Sequence, residues 1–196
     1  MAHYIKLRFS DDLPALPSAR RLEQLARADR LALRCRFGEP CDPRRLIELY
    51  DVRQVLETYP DYQAHFGRDM SDAFSGLRWS GALLNVGNND HLVLVNPEHS
   101  DARRSLTIGH EFGHLACGHR PITFVENGGL IQTRYSDEQE LEAFGYGLAV
   151  LIPYAPLVQM LQQGASLPAI AHHYQVSVAA VRMRVNLTSL NGVCLL

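Results

Sequence analysis

Residues 107–115, with the sequence Thr-Ile-Gly-His-Glu-Phe-Gly-His-Leu, constrain the fold of this chain more than any other stretch. His110 and His114 are four positions apart, so on a helix both side chains project from one face, one turn apart, and can bind one metal ion. Ser100 is a suitable N-cap before this stretch, and Gly118 is a suitable stop after it. The pattern therefore predicts a helix that presents two imidazoles on a single face.

Glu111 follows the first histidine directly, and its carboxylate can reach a water molecule held by the same metal. The spacing His-Glu-x-x-His is the arrangement of zinc peptidases, in which the imidazoles bind Zn²⁺ and the carboxylate acts as general base. The alternative is a helix with two surface histidines and a solvated acid. We interpret His110 and His114 as zinc ligands and Glu111 as the catalytic carboxylate.

The third ligand is expected on the next long helix, which starts at Ser136 and stops before Pro153. A catalytic zinc site needs three protein ligands and one open position. Glu142 shares a stripe of this helix with Gly145 and Ala149, and such small residues let two helices approach closely. We therefore predict that Glu142 completes the metal site.

Other residues near the motif are weaker candidates for the third ligand. Glu138, the runner-up, and Glu140 lie in the first helical turn, where the helix dipole favours acidic side chains without any further role. His119 does not complete the longer pattern His-Glu-x-x-His-x-x-Gly-x-x-His, because Cys117 and Arg120 occupy the positions of its glycine and last histidine. His119 is expected behind the site or at the surface, and Cys117 as a packed thiol.

The composition is that of an ordinary globular domain. The chain has 196 residues, of which 46% are hydrophobic and 20% charged, enough to bury a core without disulfide or metal staples. A formal net charge of -2 gives no electrostatic reason to expect nucleic acid or an anionic membrane as the main partner.

The cysteines and the hydrophobic runs of the sequence indicate the cellular compartment of the protein. None of the four cysteines forms a Cys-x-x-Cys pair, so we expect reduced, partly buried thiols, although Cys35 and Cys41 could bridge in an oxidising setting. The sequence contains neither an apolar stretch of signal-peptide type at its start nor a run long enough to cross a membrane. We expect a cytoplasmic protein.

The remaining patterns predict an α+β fold: a mostly helical, zincin-like domain with a small antiparallel sheet of about three strands beside the motif helix. Residues 52–56 fit one strand, and residues 80–86 and 91–95 fit a hairpin joined by the turn residues 87–90. The strand directly before the motif helix would offer its edge to an extended substrate. Residues 121–135 are predicted as a loop that crosses the site.

Helical patterns flank this centre. One helix is predicted from Ser18, its expected N-cap, to Cys35. A second short helix is expected to be capped by Asp42 with Pro43 in its first turn, and residues 57–75 fit a loop or a partly helical insertion. Two or three short helices are expected between residues 154 and 190. The predicted organisation is an N-terminal extension (1–17), a zincin-like metallopeptidase domain (18–153) and a C-terminal helical subdomain packed on it (154–196).

The motifs together resemble the ImmA/IrrE family of zinc metallopeptidases. That family is marked by His-Glu-x-Gly-His and, downstream, by Glu-Ala-x-x-Phe-Ala-x-x-Leu-Leu-Met-Pro. This chain has residues 110–114 for the first motif and residues 142–153 for the second, with Tyr146, Gly147 and Ile152 as mild departures. The likeness covers roughly residues 20–190, including residues 40–43, 80–82, 93–96 and 174–177. Residues 57–75 are longer than the usual connection.

This resemblance implies a zinc-dependent endopeptidase with His110, His114 and Glu142 as ligands and Glu111 as the catalytic residue. It also implies a protein substrate among helix-turn-helix transcriptional repressors, cleaved to release stress-response or mobile-element genes. A donor for the oxyanion that develops on the substrate carbonyl is still needed. Tyr135, Tyr146, His172 and His173 are unranked candidates for that donor.

Two other functions compete with peptide hydrolysis. Residues 167–187 resemble a helix-turn-helix that could bind DNA. However, Gln175 stands where the turn prefers glycine, and Arg184 stands where a buried apolar residue is expected; only Arg182 and Arg184 add positive charge. A structural helix pair is the favoured interpretation. The other alternative is a zinc-bound regulatory protein that binds a partner without turnover.

Overall fold

Two helices packed face to face form the centre of the fold in a computed structural model that describes residues 13–69, 71, 79–88, 90–127 and 130–190. This part of the chain contains helices α1 (Pro17–Ala32), α2 (Tyr59–Phe66), α3 (Asp101–Ala116), α4 (Asp137–Leu151), α5 (Tyr154–Gln162), α6 (Leu167–Tyr174) and α7 (Val178–Leu187), and a 3-10 helix (Pro43–Glu48). Its strands are β1 (Val52–Leu56), β2 (Gly81–Asn85), β3 (His91–Val95), β4 (Thr123–Asn127) and β5 (Leu130–Arg134). The predicted α+β, mostly helical fold is confirmed.

The central contact joins α3, which carries the His-Glu-x-x-His motif, to α4. A Cβ atom added at Gly113 would lie 2.6 Å from the Ala143 carbonyl oxygen, and one added at Gly147 would lie 2.8 Å from the Gly109 carbonyl carbon. Both distances are too short for any side chain, so glycine is required for the helices to come this close. Small residues of α4 do permit the close approach to α3, but they are Ala143 and Gly147. Gly145, which belongs to the predicted stripe, faces Leu22 of α1 instead.

The three-stranded sheet has the order β1-β3-β2. The predicted hairpin is confirmed, with β2 antiparallel to β3 and Leu83 opposite Val93. β1 pairs with β3 in parallel, so the sheet is mixed and the prediction of a purely antiparallel sheet is wrong. The strand directly before α3 is β3, which lies in the centre of the sheet; the outer strand on the side of the hairpin is β2.

Each face of the sheet packs on a different helix because side chains alternate along β3. Val93 and Val95 belong to the core cluster of Ile108 and Phe112 on α3. Leu94 instead packs on Tyr62 of α2. α2 begins at a capping box between Thr58 and Asp61, so the insertion at residues 57–75 is partly helical, as predicted.

Residues 121–135 do not form the predicted loop. β4 and β5 pair antiparallel as a separate two-stranded hairpin, with Asn127 opposite Leu130. The Gly-Gly pair that indicated a loop, residues 128–129, lies between the two strands and outside the described residues. The glycines marked a turn, and the flanking residues alternate too weakly to reveal the strands.

Helix ends follow the local sequence in most places. Ser136 and Gln139 form the predicted capping box at the start of α4, and Asp42 caps the 3-10 helix by accepting from the Arg44 amide. Ser100 occupies the N-cap of α3 without a side-chain capping bond. The prediction that Ser18 caps α1 is wrong, since Leu16 is the N-cap and Pro17 is the first residue.

The C-terminal helices share one core with the end of α4. Leu148, Leu151 and Ile152 pack in the same cluster as Leu157, Ile170 and Val181. Among the described residues no single helix is long and apolar enough to cross a membrane; α4 and α5 pass that test only as a pair bent by 63°. The division into segments 1–17, 18–153 and 154–196 stays a prediction, and residues 1–12 and 191–196 fall outside the described part.

A buried ion pair ties α1 to α7. Glu23 accepts from the Arg184 guanidinium and, at 2.8 Å, from the Tyr154 amide, while Arg184 Nε donates to the Ile152 carbonyl at 2.9 Å. Arg184 is only 1% exposed. The residue that departs from the apolar pattern of a DNA-reading helix is therefore an internal structural group.

Cys35, Cys41 and Cys117 are free thiols in the described part of the chain. Cys41 is buried, and its Sγ lies 2.8 Å from that of Cys35. Burial, together with the neighbouring Cys35, raises the pKa of the Cys41 thiol to about 12. Cys41 is therefore a neutral thiol at physiological pH.

We expect Gly113→Ala and Gly147→Ala each to lower the free energy of unfolding by about 1–3 kcal/mol, because the added methyl group meets backbone atoms of the facing helix. Leu141→Ala, on an exposed position of α4, serves as the control and should change it by less than about 0.5 kcal/mol. Denaturant unfolding followed by circular dichroism measures all three. Equal stabilities for the glycine variants and the wild type would contradict the tight helix contact.

Arg184→Met should lower the free energy of unfolding by about 3–5 kcal/mol, because it leaves the Glu23 carboxylate buried without its cation. Arg182→Ala, at an exposed position of the same helix, should cost less than about 0.5 kcal/mol. Thermal and denaturant unfolding of the two variants provide the comparison. Similar effects of both changes would mean that the buried pair is not structural.

Candidate active site

The motif histidines lie on the buried face of α3. Every residue from Thr107 to His114 is buried, because this stretch faces α4 on one side and the sheet on the other. His110 and His114 point their Nε2 atoms at each other, 3.3 Å apart. Two imidazole Nε2 atoms that face each other at this distance can both act as ligands of one cation.

Glu140, in the first turn of α4, is the carboxylate that reaches this histidine pair. Its Oε2 atom lies 3.1 Å from His110 Nε2 and 4.0 Å from His114 Nε2. The reason is helical spacing: Glu140 is three residues before Ala143 and seven before Gly147, the two positions where α4 touches α3. Because Glu140 lies one turn before Ala143 on the same face of α4, its carboxylate lies beside the histidine pair.

Glu142 is not brought to the histidine pair. Its two oxygens accept from His119 Nε2 and from Arg21 Nη1, each at 3.0 Å. Residues two apart on a helix are turned by about 200° from each other, so Glu140 and Glu142 face nearly opposite sides of α4. The geometry thus departs from the predicted ligand set at this position. Glu138, the runner-up, is exposed.

The donor set fits a zinc ion. Ligands of tetrahedral zinc at about 2.0–2.1 Å lie about 3.4 Å from one another, and His110 Nε2 lies 3.3 Å from His114 Nε2 and 3.1 Å from Glu140 Oε2. All three donors lie within 4.8 Å of one another. Burial, with His110 and His119 nearby, lowers the pKa of His114 to about 2. That imidazole is neutral and keeps a lone pair for a metal.

Glu111 faces the sheet side of the site, next to β2. A Cβ atom at Gly81 would lie 3.0 Å from Glu111 Oε1 and 2.4 Å from a Thr107 methyl carbon, so glycine lets the strand approach the carboxylate. The pKa of Glu111 is raised to about 7, mainly by burial and also by the charge of Glu140. The charge of His110 and a backbone hydrogen bond with Leu83 act in the opposite direction. The carboxylate is poised to accept and release a proton near neutral pH.

A cleft of about 330 Å³ opens over these groups. The start of β2 forms one wall through Ser80, Gly81 and Ala82, and Arg103 lies on the same side, donating to Ser80 Oγ at 3.0 Å. His110, His114, Glu111 and Glu140 line its floor. The outer strand β2, rather than the central strand β3, is therefore the strand at the cleft.

Of the four candidates for an oxyanion donor, Tyr135 lines the cleft. Its ring stacks on the His114 imidazole with centroids 3.6 Å apart and an interplanar angle of 16°. Tyr146 is fully buried and donates to Asp29. His173 contacts the Gly38 carbonyl oxygen at 2.7 Å, and His172 is exposed on α6, outside the cleft lining.

The fold and the site together define a protein of metallopeptidase type: a helical α+β domain whose His-Glu-x-x-His helix meets an acidic helix under a cleft. The family model of the IrrE N-terminal-like domain, peptidase family M78, matches residues 75–186, more than half of the chain. The chain belongs to this family. A comparison with curated proteins gives no match.

Proposed function

We propose that this protein is a zinc-dependent endopeptidase in which His110, His114 and Glu140 hold the metal and Glu111 is the catalytic carboxylate. The observation that carries the proposal is the convergence of three ligand atoms within 4.8 Å on the floor of a cleft. Membership of a peptidase family agrees with it. Glu140 takes the place that the sequence pattern gave to Glu142.

Zn²⁺ bound by these three groups would supply an activated water molecule and polarise the scissile carbonyl. The Glu111 carboxylate would accept a proton from the attacking water and return it to the leaving amine. Its burial at the bottom of the cleft raises its proton affinity, which suits a group that both accepts and returns a proton. Tyr135, beside His114, is the candidate to donate to the developing oxyanion.

The substrate is proposed to bind as an extended segment along the start of β2. An outer strand can pair with a peptide through backbone hydrogen bonds, which explains how a protein segment with varied side chains is held. We further propose a helix-turn-helix repressor as the natural substrate and the cytoplasm as the site of action. Both rest on the resemblance to the ImmA/IrrE family.

The competing DNA-binding function has less support. Arg184 is occupied with Glu23 inside the protein, and Gln175 adopts a left-handed conformation with φ of 55°, which makes the turn between α6 and α7 a strained helix cap. Only Arg182 of that segment remains as an exposed cation. A zinc-binding regulator without turnover remains the second candidate, since it would use the same ligands.

Glu111→Gln should keep zinc bound and lower kcat/KM for a repressor substrate by about 10²–10⁴-fold, because the amide cannot take a proton. The assay incubates the protein with a repressor encoded nearby, with and without a chelator, and follows cleavage by mass spectrometry. Zinc content measured in parallel is the control. Undiminished cleavage by Glu111→Gln would refute the mechanism. If the wild-type protein binds zinc but does not cleave the repressor, the alternative of a zinc-binding regulator without turnover is favoured.

Glu140→Ala should weaken zinc binding by about 100-fold or more, because a ligand is lost. Glu142→Ala, two residues away on the same helix, is the matched variant and should weaken it by about tenfold at most. Competition with a chromophoric chelator gives both dissociation constants. If Glu142→Ala has the larger effect, the ligand predicted from the sequence pattern is correct and the one proposed here is not.

A further inference from the structure

We propose that His119 and Glu142 are positioning residues that orient the zinc ligand His114 through a chain of hydrogen bonds anchored by Arg21. The inference rests on the proposed function, because it concerns how the metal ligand is held. It assigns a role to Glu142, the third ligand predicted from the sequence, and to His119, a weaker candidate for that position. It also predicts which nitrogen of each imidazole carries the proton.

The chain of contacts runs from the metal site to the surface. His114 Nδ1 lies 3.0 Å from His119 Nδ1, and His119 Nε2 lies 3.0 Å from Glu142 Oε2. Arg21 Nη1 donates to the other oxygen of Glu142, also at 3.0 Å. The side-chain exposures rise along this path from 1% and 5% to 30% and 51%. Its inner bonds are therefore shielded from water, and its charged end is solvated.

The end of α3 places His119 for this contact. Gly118 has a positive φ of 68°, a conformation that costs glycine little. The chain then turns back, and the His119 amide donates to the His114 carbonyl oxygen at 2.9 Å. Backbone and side chain of His119 thus both contact His114, which fixes the relative position of the two rings.

The chain of hydrogen bonds allows one consistent placement of the proton on each imidazole ring. When His114 Nε2 donates its lone pair to a metal, the proton of this neutral ring must be on Nδ1, which then donates to His119. His119 Nδ1 must accept, so its own proton is on Nε2, which donates to the Glu142 carboxylate. Each nitrogen has one function, and the carboxylate at the end also accepts from Arg21.

A second metal site is the rival explanation, because Cys117, His119 and Glu142 also place ligand atoms within 4.8 Å of one another. A metal on His119 Nε2 would force the proton of that ring onto Nδ1, where it would face the Nδ1 proton of a metal-bound His114. Two N–H groups would then oppose each other across 3.0 Å. Arg21 already supplies a cation to Glu142. The hydrogen-bonded chain is compatible with metal on His114, and the second site is not.

His110 has no such support. Its Nδ1 atom is buried and, among the described residues, has no hydrogen-bond partner. Of the two motif histidines, His114 is therefore the one whose ring is oriented by a hydrogen bond at Nδ1. Ligating histidines commonly donate their second N–H to a carboxylate or carbonyl, and loss of that partner weakens metal binding by about 10–100-fold.

The test measures zinc affinity in the full chain by chelator competition. His119→Leu should weaken binding by about 10–100-fold, because the His114 Nδ1 proton loses its acceptor. His119→Asn places an amide oxygen near the position of Nδ1 and should restore affinity to within about threefold of the wild type. Glu142→Gln should weaken it by less than His119→Leu. A wild-type affinity in His119→Leu would overturn the proposal.

Two further measurements distinguish a loss of His114 orientation from a general loss of structure in the variants. The His114 ring N–H should give a slowly exchanging proton signal in zinc-loaded wild type and His119→Asn, and should exchange rapidly in His119→Leu. Cys117→Ser should leave one zinc per chain with unchanged affinity. Two zinc ions per chain, one of them lost in Cys117→Ser, would overturn the proposal in favour of a second site. No zinc binding by the wild type would refute the proposed function as well.

Discussion

The close approach of α3 and α4 is the contact on which the rest of the structure depends. Gly113 against Ala143 and Gly109 against Gly147 leave no room for side chains between the two helices. This contact lets a carboxylate on one helix come within 3.1 Å of an imidazole on the other. Larger residues at these positions would separate the helices and pull apart the proposed metal ligands, although they contact none of them directly. The glycine within the motif, Gly113, is therefore a structural part of the site.

The same contact creates an electrostatic cost that a metal ion would relieve. Glu111 and Glu140 are two carboxylates beside one buried histidine pair, and the charge of Glu140 helps to raise the pKa of Glu111. A divalent cation between the imidazoles and Glu140 would offset this repulsion. Metal binding and stability of the α3–α4 contact should therefore be coupled, with the surrounding sheet and α1 holding the two helices in place when metal is absent.

Much of the fold could be predicted from local sequence. The helix of the motif, the capping box at Ser136 and the hairpin of β2 and β3 depend on residues close to one another in the chain, and each was visible in the pattern. The parallel pairing of β1 with β3 was not, because it depends on contacts between residues far apart in sequence. β4 and β5 were missed because a Gly-Gly pair dominates that segment.

In the candidate site, too, the contacts within one helix could be predicted from the sequence and the contact between two helices could not. His110, His114 and Glu111 were identifiable because their spacing within one helix fixes their relative positions. The position of the proposed third ligand, Glu140, depends on how α4 is rotated against α3, and two acids two residues apart differ by about half a turn. Glu140 lies in the first turn of α4, where the helix dipole alone explains an acidic residue, so the sequence pattern did not favour it as a ligand. Its spacing from Ala143 and Gly147, the small residues that contact α3, is the sequence feature that could have indicated its position.

The most direct test is an anomalous-difference map at the zinc edge from crystals grown with Zn²⁺. We expect one strong peak per chain, coordinated by His110 Nε2, His114 Nε2 and Glu140, with Glu142 directed at His119. A peak between Cys117, His119 and Glu142, or ordered ligands with no peak between the motif histidines, would contradict the helix arrangement proposed for this protein.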